Sequence, residues 1–220
     1  NNITIAESDV VVIANSYAAR LFSQTAQLPV APLRGQVSDL EATRISSGLR
    51  TVVCGERYIA PAAGDVHCVG ASYVKSSQDT ELNLAEHQEN CDKLAELGKQ
   101  LAFPQAPALR GRAGIRGSSM DYVPMVGAVA DPDLPELRYG SAQHLAHAVD
   151  DTDLPDPACL WGLYVSIGHG SHGTVSCPLS AEHLASLICA EASPLPRTVA
   201  QLIDPVRFIR RTRRKNRAVR

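Results

Sequence analysis

The chain has 220 residues, 45% of them hydrophobic, and a formal charge of −2. That length and apolar content support a buried core in one or two domains and exclude a disordered chain. No apolar run reaches the length of a membrane span, and the opening lacks the basic, apolar and small-residue sections of a signal peptide, so a soluble cytoplasmic protein is expected.

The first residue is Asn rather than Met, and an apolar run follows almost at once, so the chain is expected to start inside a larger protein. Its six cysteines (54, 68, 91, 159, 177 and 189) form no C-x-x-C pair and read as buried structural thiols, not as a zinc site or a disulfide framework. Charge is polarised. The last fourteen residues, "RFIRRTRRKNRAVR", carry eight of the 21 basic residues and no acid, which leaves 13 against 23 acids elsewhere, a formal charge of about −10. Such an end is either a solvated tail or a contact for a polyanion such as RNA phosphate.

In chain order, "DVVVIA" (9–14) is a β-branched run that predicts a buried parallel strand, and "NSYAARLF" turns into a helix. "APLRGQVSDL" predicts a strand entered through Pro32. "RTVVCG", "RYIAPAAG" and "VHCVGASYV" predict further strands separated by glycine-containing turns, a meander of sheet. Residues 79–102 carry Leu84, Cys91, Leu94, Leu97 and Leu101 at helical spacing, with Asp79 or Thr80 as the N-cap. "AGIRGSSMDYVPMVGAV" returns to extended structure, and the polar stretch to about 159 reads as surface loops. A strand at 160–167, a glycine turn and a helix at about 178–190 close the pattern, with Pro194 and Pro196 ending regular structure.

The turn "GHGSHG" (168–173) is the most informative short stretch. A nucleophile elbow needs G-x-S-x-G, and His169 stands where that motif needs Gly. A metal site on His169 and His172 lacks a further ligand at suitable spacing. The spacing Gly168-x-Gly170-x-x-Gly173 formally matches a dinucleotide fingerprint, but it lies at the wrong end of the chain and Pro178 interrupts the helix start. Two readings stay open: a turn needed only for tight strand-to-helix packing, or backbone amides and a helix N-terminus that cradle an anion or an electron-rich ring.

The ordered set "SDVVVIANSYAARLF", "PLRGQVS", "RYIAPAAGDVHCVGASY", "AGIRGSSMDYVPMVGAV", "LYVSIGHGSHGTVSCPLSAEHLASLICAE" and "PLPRTVAQLIDPVRFIRR" resembles the FAD-dependent oxidoreductase family that includes D-amino-acid oxidase and glycine oxidase. Within that family it is most similar to the branch that modifies the wobble uridine of tRNA. The resemblance implies a mixed α/β (α+β) fold: the C-terminal part of a Rossmann-like FAD-binding flavoprotein, with a mainly antiparallel, sheet-rich substrate region. The expected divisions are a remnant of the FAD domain (1–30), the substrate region with one long helix (31–130), surface loops (131–159), the C-terminal part of the FAD domain (160–206) and a basic tail (207–220). No G-x-G-x-x-G unit precedes Asn1, so the ADP-binding βαβ unit is expected to be absent, along with the methyltransferase region of the parent protein. The chain alone is then expected to bind FAD poorly.

Site residues follow from the same resemblance. Gly168, His169, Gly170, Ser171, His172, Gly173 and Thr174 are expected at the flavin, with Arg34 and Gly35 of "PLRGQ" as further contacts. Arg116 of "GIRGSSMDY" matches the family's substrate-carboxylate arginine, expected to share one cavity with the glycine turn, and Tyr58 is expected to line the substrate cavity. Arg210, Arg211, Arg213 and Arg214 are expected to attract tRNA. His172 stands where the branch often shows Arg, and Met120 where it often shows a basic residue. No metal is expected, and no catalytic acid or base is identified. The implied reaction is oxidative removal of the carboxymethyl group from 5-carboxymethylaminomethyl-(2-thio)uridine, with release of glyoxylate. The alternatives are a glycine oxidase-like enzyme acting on a free amine or amino acid, and a silent substrate- or RNA-binding module.

Overall fold

A computed structural model describes residues 3–98, 110–133 and 157–218, the last six by backbone alone. Cα packing divides the chain into two units, Asn1–Ala31 with Gly117–Arg220, and Pro32–Arg116. The chain passes between them within strands β2 (Val30–Glu41) and β7 (Gly111–Ser119). No helix among the described residues is long and apolar enough to cross a membrane.

The first unit holds a three-stranded sheet of β1 (Val11–Ile13), β9 (Cys159–Ile167) and β8 (Met125–Ala130), in that order. β1 runs parallel to β9, pairing Val11 with Leu163 and Ile13 with Val165, while β8 runs antiparallel, pairing Met125 with Ile167. Successive side chains of β8 point to opposite faces. Met125 and Val129 therefore join Ala19, Leu28, Val30, Val165, Ile167 and Phe208 in one cluster, while Val126 packs with Leu184 and Ile203 in another. Fully burying each such Val, Leu or Ile side chain stabilises the fold by about 1.5–3 kcal/mol.

Sequence and structure differ at the rims of this unit. β1 has the expected parallel partner, but as an edge strand it leaves Val11 and Val12 exposed. "SYAARL" forms a 3-10 helix, Ser16–Leu21. β8 pairs with β9, so it sits with the first unit and not with the sheet-rich middle region. The helix after the glycine turn, α2, spans Gly173–Ile188 and contains Pro178 in its interior. Regular structure continues past Pro196 into two more helices, α3 (Arg197–Ile203) and α4 (Arg207–Ala218). The basic end is thus anchored. Phe208 and Ile209 are buried, and Val206 just ahead of them packs with Ile209 and Ala130.

The second unit contains β2, β3 (Val53–Cys54), β4 (Tyr58–Ile59), β5 (Val66–Gly70) and β6 (Val74–Lys75) in the order β3-β4-β5-β2-β6, with β7 also paired to β2. The pairings of β2 with β5 and β6 are antiparallel, the meander expected from its turns. Helix α1 spans Leu84–Leu97 and drops Leu94 into a core of Leu40, Ile59 and Val69. Its cap is Asn83, not Asp79 or Thr80; the Asn83 side chain accepts from the amides of Ala85 and Glu86. Leu101 lies outside the described residues. Cys54, Cys159, Cys177 and Cys189 are exposed where burial was expected.

Candidate functional site

In the first unit, the glycine turn begins where β9 ends. Gly168 (φ 75°) and Gly170 (φ 56°) take the left-handed conformation that side chains disfavour, which turns the chain sharply into α2. The turn is tied to β7: the Gly170 amide donates to the Gly117 carbonyl at 3.0 Å, and Ser118 forms a bridge to His169. The first amides of α2, at Gly173 and Thr174, have no acceptor in the preceding turn and carry the positive end of the helix dipole.

His169 is a brace between strand and helix. Its Nε2 lies 3.2 Å from Ser166 Oγ and its Nδ1 2.8 Å from Ser176 Oγ, while Ser176 Oγ donates to the His172 carbonyl at 3.0 Å. With its proton spent on that carbonyl, Ser176 accepts from Nδ1–H, and Nε2 accepts from Ser166. Burial lowers the pKa of His169, which favours this neutral ring. His172, Ser171 and Thr174 are exposed, and the His172 Nδ1 lies 3.3 Å from Ser171 Oγ. Met120 is also exposed.

The same unit holds a buried ion cluster that sequence reading missed. Arg207 donates to both carboxylate oxygens of Asp121, at 2.8 and 2.9 Å, and Arg211 adds a third contact at 2.7 Å. Burial alone raises the Asp121 pKa, but the two guanidiniums overcome it and hold the carboxyl well below the usual carboxylate range. Arg210 pairs with Asp204 at 3.0 Å. Arg210 and Arg211, expected to face RNA, are thus engaged with acids of their own chain; the Arg213 and Arg214 side chains lie outside the described residues.

In the second unit, Arg34 is a structural residue. It is 2% exposed and uses four of the five donors of its guanidinium: to Glu86, to Gln36, and to the carbonyls of Asp79 and Glu81. Gly35, by contrast, is a contact point. A Cβ there would overlap Nη1, Cζ and Nη2 of Arg116, so the guanidinium lies directly on the glycine backbone. On this site Tyr73 adds its ring, with the Arg116 Cζ 5.1 Å from the centroid. Arg116 Nη1 is buried and has no hydrogen-bond partner among the described residues.

Such an orphan donor is costly unless a ligand or an ordered water satisfies it. Beside it lies a cavity of about 240 Å³ lined by Gly35, Val37 and residues 112–116, with no carboxylate in its wall. Tyr58 is not part of that wall. Its hydroxyl lies 3.9 Å from Cys68 Sγ, and burial together with Cys68 pushes its pKa up to about 12, so it stays protonated at neutral pH.

Comparison with known proteins identifies the family and the fold. Residues 2–187 match the family described as FAD dependent oxidoreductase (DAO). A tRNA 5-methylaminomethyl-2-thiouridine biosynthesis bifunctional protein MnmC from Pseudomonas putida (strain GB-1) is 44% identical over 215 residues, covering 93% of this chain and 32% of the relative. Its counterpart from Pseudomonas aeruginosa (strain UCBPP-PA14) is 42% identical, covering 94% of this chain and again 32% of the relative. The chain therefore spans about a third of the length of these relatives. Among solved structures, glycine oxidase from Geobacillus kaustophilus superposes with a TM-score of 0.65 at 23% identity, over 90% of this chain and 45% of that one. L-proline dehydrogenase from P. horikoshii gives a TM-score of 0.65 at 19% identity, over 91% of this chain and 47% of that one. Both show the same fold.

Proposed function

Because this chain belongs to the FAD-dependent oxidoreductase family, we propose that it is the substrate-holding part of a tRNA-modifying flavoenzyme that removes the carboxymethyl group from 5-carboxymethylaminomethyl-(2-thio)uridine at the wobble position. In the net reaction the N–CH₂ carbon loses two electrons, water supplies the new carbonyl oxygen, and aminomethyluridine and glyoxylate are the products. FAD, when bound, supplies the two-electron acceptor. The names of the relatives support tRNA as the substrate.

The observation that carries this reading is the buried, unpartnered Nη1 of Arg116. A guanidinium fixed against Gly35 and Tyr73, with a free donor at the edge of an acid-free cavity, suits a planar carboxylate. Arg116 orients the substrate and moves no proton. The turn at 168–174 suits an electron-rich group. Gly168 and Gly170 bring backbone close, no acid stands in the turn, and the free amides of α2 carry the positive end of the helix dipole. His169 holds those amides in place through Ser166 and Ser176. Tyr58, protonated at neutral pH, does not serve as a base.

The test uses the full-length protein loaded with FAD and tRNA bearing the carboxymethylaminomethyl group. Glyoxylate trapped as a hydrazone and the nucleoside identified by mass spectrometry are expected in equal amounts. Oxidation of free glycine or sarcosine with the tRNA left intact contradicts the proposal and supports a small-molecule oxidase.

A further inference from the structure

The cavity beside Arg116 has a second cation. Arg112 lines it too, four residues earlier on β7, so the two side chains share a strand face with about 13 Å between their Cα atoms. Arg112 is exposed. Its neighbour Arg110 has Glu41 at 3.6 Å, whereas Arg112 has no acidic partner among the described residues. Between the two arginines, on the same face, stands Gly114, where an added Cβ would meet no protein atom within 4 Å. The strand thus presents two guanidiniums with an open floor between them.

We propose that this trough is a two-point anion site in which Arg116 takes the carboxylate and Arg112 takes a phosphate of the same nucleotide. The inference rests on the reading of Arg116 as the carboxylate anchor. The cavity wall holds both arginines and no acid, so a ligand with two anionic groups can pair with both, while a ligand with one pairs with only one of them. The spacing suits a modified nucleotide better than a free amino acid, whose carboxylate has no second acidic group at that reach. Arg112 thereby separates a nucleic-acid substrate from the small amines used by proteins of the same fold. Because Arg112 is solvated and contacts a phosphate as a charge, lysine can replace it; Arg116, whose planar guanidinium is set against Gly35 with its Nη1 buried, tolerates no such exchange.

The experiment measures equilibrium binding of two probes, 5-carboxymethylaminomethyluridine and its 5′-monophosphate, to the FAD-loaded full-length protein and its variants. The monophosphate is expected to bind about tenfold tighter, as a charge-assisted contact implies. Arg112→Gln is expected to erase that preference and Arg112→Lys to restore most of it. Arg116→Gln weakens both probes. Gly114→Ala, whose added Cβ meets no protein atom within 4 Å, raises the floor between the two guanidiniums and also weakens both. A phosphate preference that survives Arg112→Gln, or is absent from the parent protein, overturns the second contact and leaves the carboxylate anchor standing. Binding of neither probe, or binding indifferent to Arg116→Gln, removes the carboxylate anchor itself and the inference with it.

Discussion

The guanidinium of Arg116 occupies the space where any residue but glycine at position 35 would carry its Cβ. Gly35 has no left-handed φ, so Gly35→Ala imposes no backbone strain; the nearest atoms to the new methyl are the far end of a flexible side chain. The expected outcome is a folded protein with a displaced arginine. Its melting temperature stays within about 5 °C of the parent, while carboxylate affinity falls about ten- to hundredfold, the loss of a charged hydrogen bond. Thermal denaturation beside a KM determination checks both halves.

Asp121→Asn removes the negative charge, and one of the two acceptor oxygens, shared by Arg207 and Arg211. Arg207 is 4% exposed, and a buried cation left without its carboxylate costs about 3 kcal/mol. Denaturant unfolding checks the value. The pH dependence has a definite sign. The Asp121 pKa is depressed on folding, so its contribution is complete above the ordinary carboxylate pKa of about 4 and declines as pH falls below it. The Asn variant is expected to show a flatter acid limb than the parent.

The His169 ring is expected to titrate below the ordinary value of about 6.5, since burial disfavours its charged form. A depressed pKa means that the brace contributes fully above pH 6.5 and weakens as pH falls through the folded-state value. Two-dimensional NMR of the imidazole nitrogens checks this and the assigned tautomer, with the proton on Nδ1. A midpoint above 6.5 contradicts the Ser166–His169–Ser176 arrangement.

Within the turn, Gly170→Ala and Gly173→Ala separate conformation from space. Gly170 has open surroundings but a left-handed φ, so alanine there costs about 1 kcal/mol by backbone conformation alone. At Gly173 the added Cβ makes ordinary contacts with His169 and Cys177 in helical backbone, and stability is expected to hold or rise slightly. Flavin titration of the full-length protein is expected to show weaker FAD binding for Gly170→Ala only.

What was legible in the sequence depended on whether the signal is local. The strand entered through Pro32, the extended run at 160–167 and the glycines ahead of α2 announce themselves within a few residues. Helices α3 and α4 did not, because the prolines at 194 and 196 read as terminators and the arginines hid the apolar stripe of Val206, Phe208 and Ile209. Capping by Asn83 follows from tertiary structure: Arg34 takes the carbonyls of Asp79 and Glu81 and holds that segment outside the helix. Arg116 was identified by resemblance, but its slot was not, since Gly35 and Tyr73 lie far from it in sequence. Arg112 had a readable signal that went unused: its four-residue spacing from Arg116 in a predicted strand puts both on one face.

The most direct measurement is glyoxylate released from carboxymethylaminomethyl-tRNA by the FAD-loaded full-length protein, compared with its Arg116→Gln and Arg116→Lys variants. The expected result is a fall in kcat/KM of at least about a hundredfold in both, with the bound-flavin spectrum unchanged. Turnover by Arg116→Gln at the parent's kcat/KM would contradict the assignment of Arg116 as the carboxylate anchor.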